Sequence, residues 1–197
     1  MTTNTRKIRI LMFCLTLAFL VGMSHLALPA AGAQEQVGLL TVTGMVTVNG
    51  KPAATGDIVA SGSEVETAKG SSAVVSLGKL GRVEALPSTT MKLRYEYTST
   101  THTSASVSVL LGDGSVRVST GDGIVCWVQS GMTATQPSVR GTGQNVFTVD
   151  TTCGNTLVSV EKGKVELRAW KSVKQIVAGG QDTAGQAKPG CTPSRNP

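Results

Sequence analysis

The chain has 197 residues, of which 40% are hydrophobic and 15% are charged, and it contains 23 glycines. This length fits one domain with a sizeable core, and the glycine content argues against long helices. The formal net charge is +6, but the basic residues are scattered and interleaved with Glu, so composition does not indicate nucleic-acid binding.

The first residues have the pattern of a secretory signal peptide. A basic stretch, 6–9, precedes an apolar run, Ile10–Met23, and Ala31 and Ala33 form a small-x-small cleavage site before Gln34. An uncleaved membrane anchor is the alternative, but the apolar run is short for a span of about 20 residues. Cleavage leaves 164 of the 197 residues, and it lowers the net charge from +6 to +3 because the signal holds three basic residues and no acidic one.

The rest of the chain is predicted to be all-β with many short strands. Apolar and polar residues alternate at period 2 in short runs bounded by Gly, Asn, Asp or Pro, which is typical of half-buried strands. The predicted strands are Val37–Val48, Asp57–Ala60, Ser63–Thr67, Ala73–Leu77, Gly81–Leu86, Thr90–Tyr97, Ser106–Leu111, Ser115–Ser119, Ile124–Gln129, Val146–Asp150, Thr156–Glu161, Lys164–Trp170 and Val173–Ala178.

The turns between these strands favour a twisted sheet that is solenoid-like or sandwich-like. Asn49-Gly50 predicts a type I′ hairpin turn. Leu111–Val118 and Val160–Leu167 each read as strand, Gly turn, strand, which indicates either a coiled quasi-repeat or two ordinary hairpins. Residues 97–105 and 129–145 are predicted loops. We expect a domain over 34–181 and a flexible tail over 182–197 unless Cys191 pins it.

Three cysteines follow the signal, and an exported protein is expected to use them in a disulfide. Cys126 lies in an apolar run and Cys153 lies on a turn between strands. We favour a Cys126–Cys153 disulfide, while the two pairings that use Cys191 stay open because sequence does not fix connectivity.

Residues 56–181 resemble the FecR-domain family of bacterial envelope proteins. The matching phrases occur in the family's order, and they are Ala60–Thr67, Ser71–Leu77, Leu86–Leu93, Leu111–Val118, Val139–Thr142 with Phe147-x-Val149, Thr156–Val160 with Gly163–Val165, and Val177–Gln181. The chain departs from the family at Lys79-Leu80-Gly81 and by the residues Gly143–Val146 between Arg-Gly-Thr and Phe-x-Val.

The resemblance implies an all-β, solenoid-like sheet and a role in signalling. The best-known members of the family are transmembrane regulators that carry an outer-membrane signal to a cytoplasmic sigma factor. Only nine residues precede the apolar run here, so we expect the domain alone, as an exported module for sensing or protein–protein contact.

Candidate catalytic chemistry is sparse. Cys153 with His102 and an Arg is a workable sortase-like transpeptidase set, but a disulfide cysteine on a turn is the better interpretation. Spacings of 27 and 38 residues between the cysteines do not fit a structural zinc site. We expect no catalytic residues, no cofactor and no metal.

Two tryptophans and one turn complete the candidate residues. Trp127, in an apolar run, is predicted to lie in the core. Trp170, at a strand end, is a candidate ligand contact, with core or edge packing as the better interpretation. Arg140, Gly141 and Thr142 form a predicted structural turn, which Arg140 is expected to pin by bidentate hydrogen bonds.

The sequence therefore predicts a non-enzymatic, periplasmic or extracellular bacterial module with an unidentified envelope protein partner. It is expected to bind no nucleic acid and to meet the membrane only through its signal peptide. The alternative is a carbohydrate- or ligand-binding module, and a more remote one is the transpeptidase.

Overall fold

The computed structural model describes residues 38–98, 104–122, 124–137, 143–186 and 188–191, all of which belong to one compact unit, Gln36–Pro197. The signal peptide with Ala31 and Ala33, His102, and the Arg140-Gly141-Thr142 turn lie outside these residues. No helix in the described ranges is long and apolar enough to cross a membrane.

The protein is nearly all β, as predicted, and one 3-10 turn, Gly78–Leu80, interrupts the strands. The strands are β1 Gly38–Thr43, β2 Val46–Val48, β3 Lys51–Pro52, β4 Ile58–Val59, β5 Glu64–Thr67, β6 Ser72–Ser76, β7 Gly81–Ala85, β8 Thr90–Thr98, β9 Ser104–Asp113, β10 Ser115–Thr120, β11 Val125–Ser130, β12 Thr133–Pro137, β13 Val146–Asp150, β14 Thr156–Lys162, β15 Lys164–Ala169, β16 Ser172–Val177 and β17 Gln181–Ala184.

The strands form two open sheets. The first sheet has eight strands in the order β17-β14-β13-β10-β7-β6-β1-β4, and the second has nine in the order β16-β15-β12-β11-β9-β8-β5-β2-β3. Neighbouring strands are antiparallel except β9 and β11, which are parallel because the chain leaves the second sheet for β10 and then returns. That excursion is one coil of a solenoid, so the fold combines both predicted architectures.

The core lies between the two sheets. Alternate residues along the strands face inward, and Leu40 and Phe147 from the first sheet join Leu93 and Val109 from the second in one buried cluster. Burying a side chain of this size contributes about 1.5–3 kcal/mol relative to exposure, so this inner face is the main source of stability.

The buried Tyr95 ties the two sheets together at one edge. Its hydroxyl group donates a hydrogen bond to the Val59 carbonyl at 2.6 Å and accepts one from the Gly38 N–H at 3.1 Å. Tyr95 belongs to β8 of the second sheet, and both of its partners belong to the first. The hydroxyl group therefore satisfies two backbone groups of the opposite sheet.

The chain passes from one sheet to the other at glycine corners. Gly44, Gly114 and Gly163 have φ of +79°, +97° and +84°, which side chains rarely adopt. At each corner the next residue donates its N–H to a side-chain oxygen: Met45 to Ser71 Oγ at 2.8 Å, Ser115 to Thr89 Oγ1 at 2.9 Å and Lys164 to Asn145 Oδ1 at 3.0 Å. The corners are a structural quasi-repeat.

Of the two interpretations of 111–118 and 160–167, the corners favour the quasi-repeat over the hairpins. β9 and β10 belong to different sheets, as do β14 and β15. The predicted strand 37–48 is likewise divided at Gly44 into β1 and β2. The Asn49-Gly50 turn is confirmed, since both residues have positive φ and Val48 pairs with Lys51.

Two predicted irregular segments contain strands. β12 lies inside the predicted loop 129–145, and β17 crosses the predicted start of the tail at residue 182. β17 pairs with β14 through four register partners, so the domain continues past Gln181. Where residues 143–146 depart from the family pattern, the register of β13 against β14 shifts between Val146 and Phe147.

Candidate functional site

Several turns meet at one end of the two sheets and line a cavity of about 510 Å³ that is open to solvent. We call it the end cleft. The β11–β12 and β15–β16 turns, the β9–β10 corner, the β13–β14 connection and the segment after β17 form its walls. Its lining includes Asp113, Met132, Thr133, Asn155, Trp170 and Lys188.

Trp170 is the most exposed large apolar residue of the cleft. The residue is 82% exposed and its backbone has φ +49°. A bulky residue at positive φ is an outlier that costs about 1–2 kcal/mol, and this exposed ring does not recover that cost by core burial. Trp170 is the first residue of the two-residue turn between Ala169 and Ser172, where a tight hairpin requires positive φ. The candidate ligand contact is therefore accessible at a turn position that favours Gly or Asn.

Met132 stands beside Trp170 because of the sheet register. Thr133 and Ala169 are directly paired, so the turns that precede β12 and follow β15 are neighbours. Met132 is 67% exposed. It was not predicted as a site residue, because the sequence before it has only a short apolar pattern. The two side chains give the cleft an apolar surface open to solvent.

The opposite part of the cleft is polar. The Thr133 hydroxyl group donates to the Ser130 carbonyl at 2.8 Å, so the Thr156 hydroxyl group donates to the Thr133 oxygen at 2.7 Å. Asn155 is largely buried, and Asp113 accepts a hydrogen bond from the Gly114 N–H at 3.0 Å. No sequence pattern predicts Thr133, Asn155 or Thr156 as site residues, because only the pairing of distant strands brings them together.

A disulfide holds one wall of the cleft, and it is not the favoured pair. Cys153 is bonded to Cys191, with a Cα–Cα distance of 5.6 Å, so the Cys126–Cys153 prediction is wrong. The Lys188 N–H donates to the Cys153 carbonyl at 2.9 Å, which anchors the segment carrying Lys188. Cys153 is therefore not a free thiol, and in the disulfide its sulfur is not the nucleophile that the transpeptidase alternative requires.

Cys126 is the unpaired cysteine among the described residues, and it is fully buried. It faces the apolar core beside Leu80, Val107 and Val118. Desolvation raises the pKa of this thiol to about 12, because the core disfavours the thiolate. The residue is a packing residue and not a nucleophile.

The stability of the protein should therefore fall at high pH through Cys126. The unfolded thiol ionises near pH 9 and the folded thiol only near pH 12, so unfolding releases a proton between these values and is favoured. We expect the loss to reach about 2 kcal/mol by about pH 10.5. Urea denaturation of wild type and Cys126→Ala at pH 8 and at that pH measures it, since the variant lacks this component while the other groups titrate equally. An unchanged difference between the two proteins would contradict the assignment.

Trp127 was predicted to lie in the core, and this prediction is wrong. It is 37% exposed and lies on the outer face of the second sheet, because its neighbours Cys126 and Val128 face inward. Period-2 alternation in this run was the signal that could have placed it.

A second feature adjoins the cleft, namely the edge strand β16. It follows Trp170 and ends the second sheet, and its outer-face residues Val173 and Val177 are 57% and 56% exposed. Lys174 turns the other way and binds Asp182 Oδ1 at 2.7 Å, and this hydrogen bond is the main cause that lowers the pKa of Asp182. Within the described ranges no strand pairs with the outer edge of β16.

In the described part of the chain, no three His, Cys, Asp or Glu side chains are grouped so that they could hold a metal ion.

A second open cavity of about 410 Å³ lies at the Gly44 corner, and its lining includes Met45, Pro52 and Glu66. The described lining of this second cavity contains no aromatic side chain.

No protein-family model and no curated protein matches the chain. Among solved structures, it is similar in fold to a putative anti-sigma factor from Parabacteroides distasonis ATCC 8503, seen in two crystal structures at 21% identity with TM-scores of 0.48 and 0.50. The match covers 66% of this chain and 57% of that one, so the similarity spans little more than half of the Parabacteroides protein. At this identity the comparison shows a shared fold.

Proposed function

We propose that this protein is an exported, non-enzymatic envelope module of FecR type that senses or binds another envelope protein. The observation that carries the proposal is the outer edge of β16, which no strand of the described residues covers and to which a partner can add an extended strand. Main-chain hydrogen bonds then supply affinity, and pockets for alternate side chains supply specificity.

The four edge strands are not equivalent. β3 and β4 have two residues each and β3 contains Pro52, whereas β17 has four residues and β16 has six. Short edges and Pro are common protections against strand addition. β16 carries no Pro, and its Lys174 is turned toward Asp182, so Val173 and Val177 face solvent without a charged residue between them on that face.

Two further arguments support a sensing role. The ordered phrases of residues 56–181 resemble a family whose members relay envelope signals, and the Parabacteroides protein of similar fold is described as a putative anti-sigma factor. The signal-like residues 1–33 support export. Each of these arguments comes from resemblance, and β16 supplies the testable surface.

Site-specific photo-crosslinking in the native cell tests the proposal. A photoreactive residue at Val173 or Val177 should give an adduct with one and the same envelope protein. Ile58 of β4 is the matched control, since it is an exposed apolar residue on a short edge of the first sheet. Val173→Lys should abolish binding of that purified partner, because it places a charge on the added-strand face. Adducts only with a second copy of this chain, or equal adducts from position 58, would contradict the proposal.

A further inference from the structure

We propose that the end cleft is a binding site for a neutral saccharide, with one sugar ring stacked on Trp170. This site is separate from the β16 edge and does not depend on the partner proposed for it. The argument rests on the aromatic ring, the donor and acceptor set, the charge of the lining and the size of the cavity.

The aromatic ring supplies the first step. Trp170 is exposed and sits at positive φ, where a glycine or asparagine would be better tolerated. Strained residues concentrate at functional sites, where the strain positions a side chain for a ligand. A flat indole with Met132 beside it offers an apolar surface to the C–H face of a sugar ring, and it keeps the N–H for a hydrogen bond.

The polar groups supply the second step. Sugar hydroxyls both donate and accept hydrogen bonds, so a site for them needs both kinds of partner. Asn155 can do both through its amide, Asp113 accepts only and Lys188 donates only. Thr133 and Thr156 can accept, because their hydroxyl protons are donated to the Ser130 carbonyl and to Thr133. These groups line the same cavity as the indole.

Charge and size select the class of ligand. Asp113 and Lys188 are the charged residues of the described lining, and together they give no net charge. This balance does not favour an anionic or cationic ligand over a neutral one. A cavity of about 510 Å³ lies in the range of small-molecule sites, about 300–1,000 Å³, and has room for a short oligosaccharide.

The chain offers a clean reporter, since Trp127 and Trp170 are its two tryptophans. In the Trp127→Phe variant, fluorescence reports on Trp170. We expect saturable quenching when chitotriose, cellotriose or maltotriose is added at millimolar concentration. In an otherwise wild-type background, calorimetry should show that Trp170→Ala weakens binding about tenfold or more, whereas Trp127→Ala leaves it unchanged.

The outcomes separate this proposal from the function of β16. Val173→Lys should leave saccharide affinity unchanged, and Trp170→Ala should leave the Val173 adduct in place. No saturable binding of any of the three trisaccharides, equal binding by Trp170→Ala, or binding only of a heparin disaccharide would overturn the proposal. Urea denaturation of Trp170→Ala should show no loss of stability, which distinguishes lost binding from lost folding.

Discussion

Replacing Gly114 with alanine should destabilise the protein by about 2–5 kcal/mol. The residue has φ +97°, and an added Cβ would lie 2.6 Å from the Ser88 carbonyl oxygen and also against Thr89 Oγ1. The backbone oxygen cannot move away as a flexible side chain would. The same contact would displace Thr89, whose hydroxyl group accepts the Ser115 N–H at this corner. Urea denaturation followed by circular dichroism measures the loss.

Gly70 is the matched control for Gly114. It also has positive φ, +73°, but an added Cβ would meet nothing within 4 Å. Gly70→Ala should therefore cost only the conformational strain, about 1–2 kcal/mol. Equal losses in the two variants would show that the corner tolerates a Cβ and that close packing there does not hold the sheets together.

Removing the Cys153–Cys191 disulfide should cost about 2–4 kcal/mol, because it closes a long loop. The two cysteines are 38 residues apart, and the loop contains β14 to β17. Cys191→Ser should lose this stability in urea denaturation, and dithiothreitol should produce the same loss in wild type. Dithiothreitol should have no effect on Cys191→Ser, and Cys126→Ala should keep the full response to it. A response to dithiothreitol that requires Cys126 would contradict the observed pairing.

The local features of the fold follow from the sequence. The Asn49-Gly50 turn was predicted because two adjacent residues that tolerate positive φ determine its type. Most strands were predicted because alternation is a property of neighbouring residues. The same rule places Trp127 outward between the buried Cys126 and Val128, whereas the hydrophobicity of the run alone predicts a core position.

The remaining features depend on residues distant in sequence. The sequence of Leu111–Val118 fits both a hairpin and a corner. The structure has a corner, at which the Thr89 hydroxyl group accepts a hydrogen bond from the Ser115 N–H. The choice of Cys191 over Cys126 depends on where β17 directs the chain. β12 escaped prediction because its sequence, Thr-Ala-Thr-Gln-Pro, has few apolar residues, and pairing with β11 and β15 makes it a strand.

The alternation of the chain between two sheets has a consequence for how fast the molecule folds. Register partners such as Leu39 and Ser76, or Ser115 and Asp150, are 37 and 35 residues apart. Six of the fifteen strand pairs in the described residues are hairpins that close short loops, but the other nine join strands that are not consecutive in the chain. For these nine, the entropy of bringing distant segments together is lost before contacts compensate for it. Domains with such non-local pairing fold in about milliseconds to seconds, and we expect this chain to fold within that range.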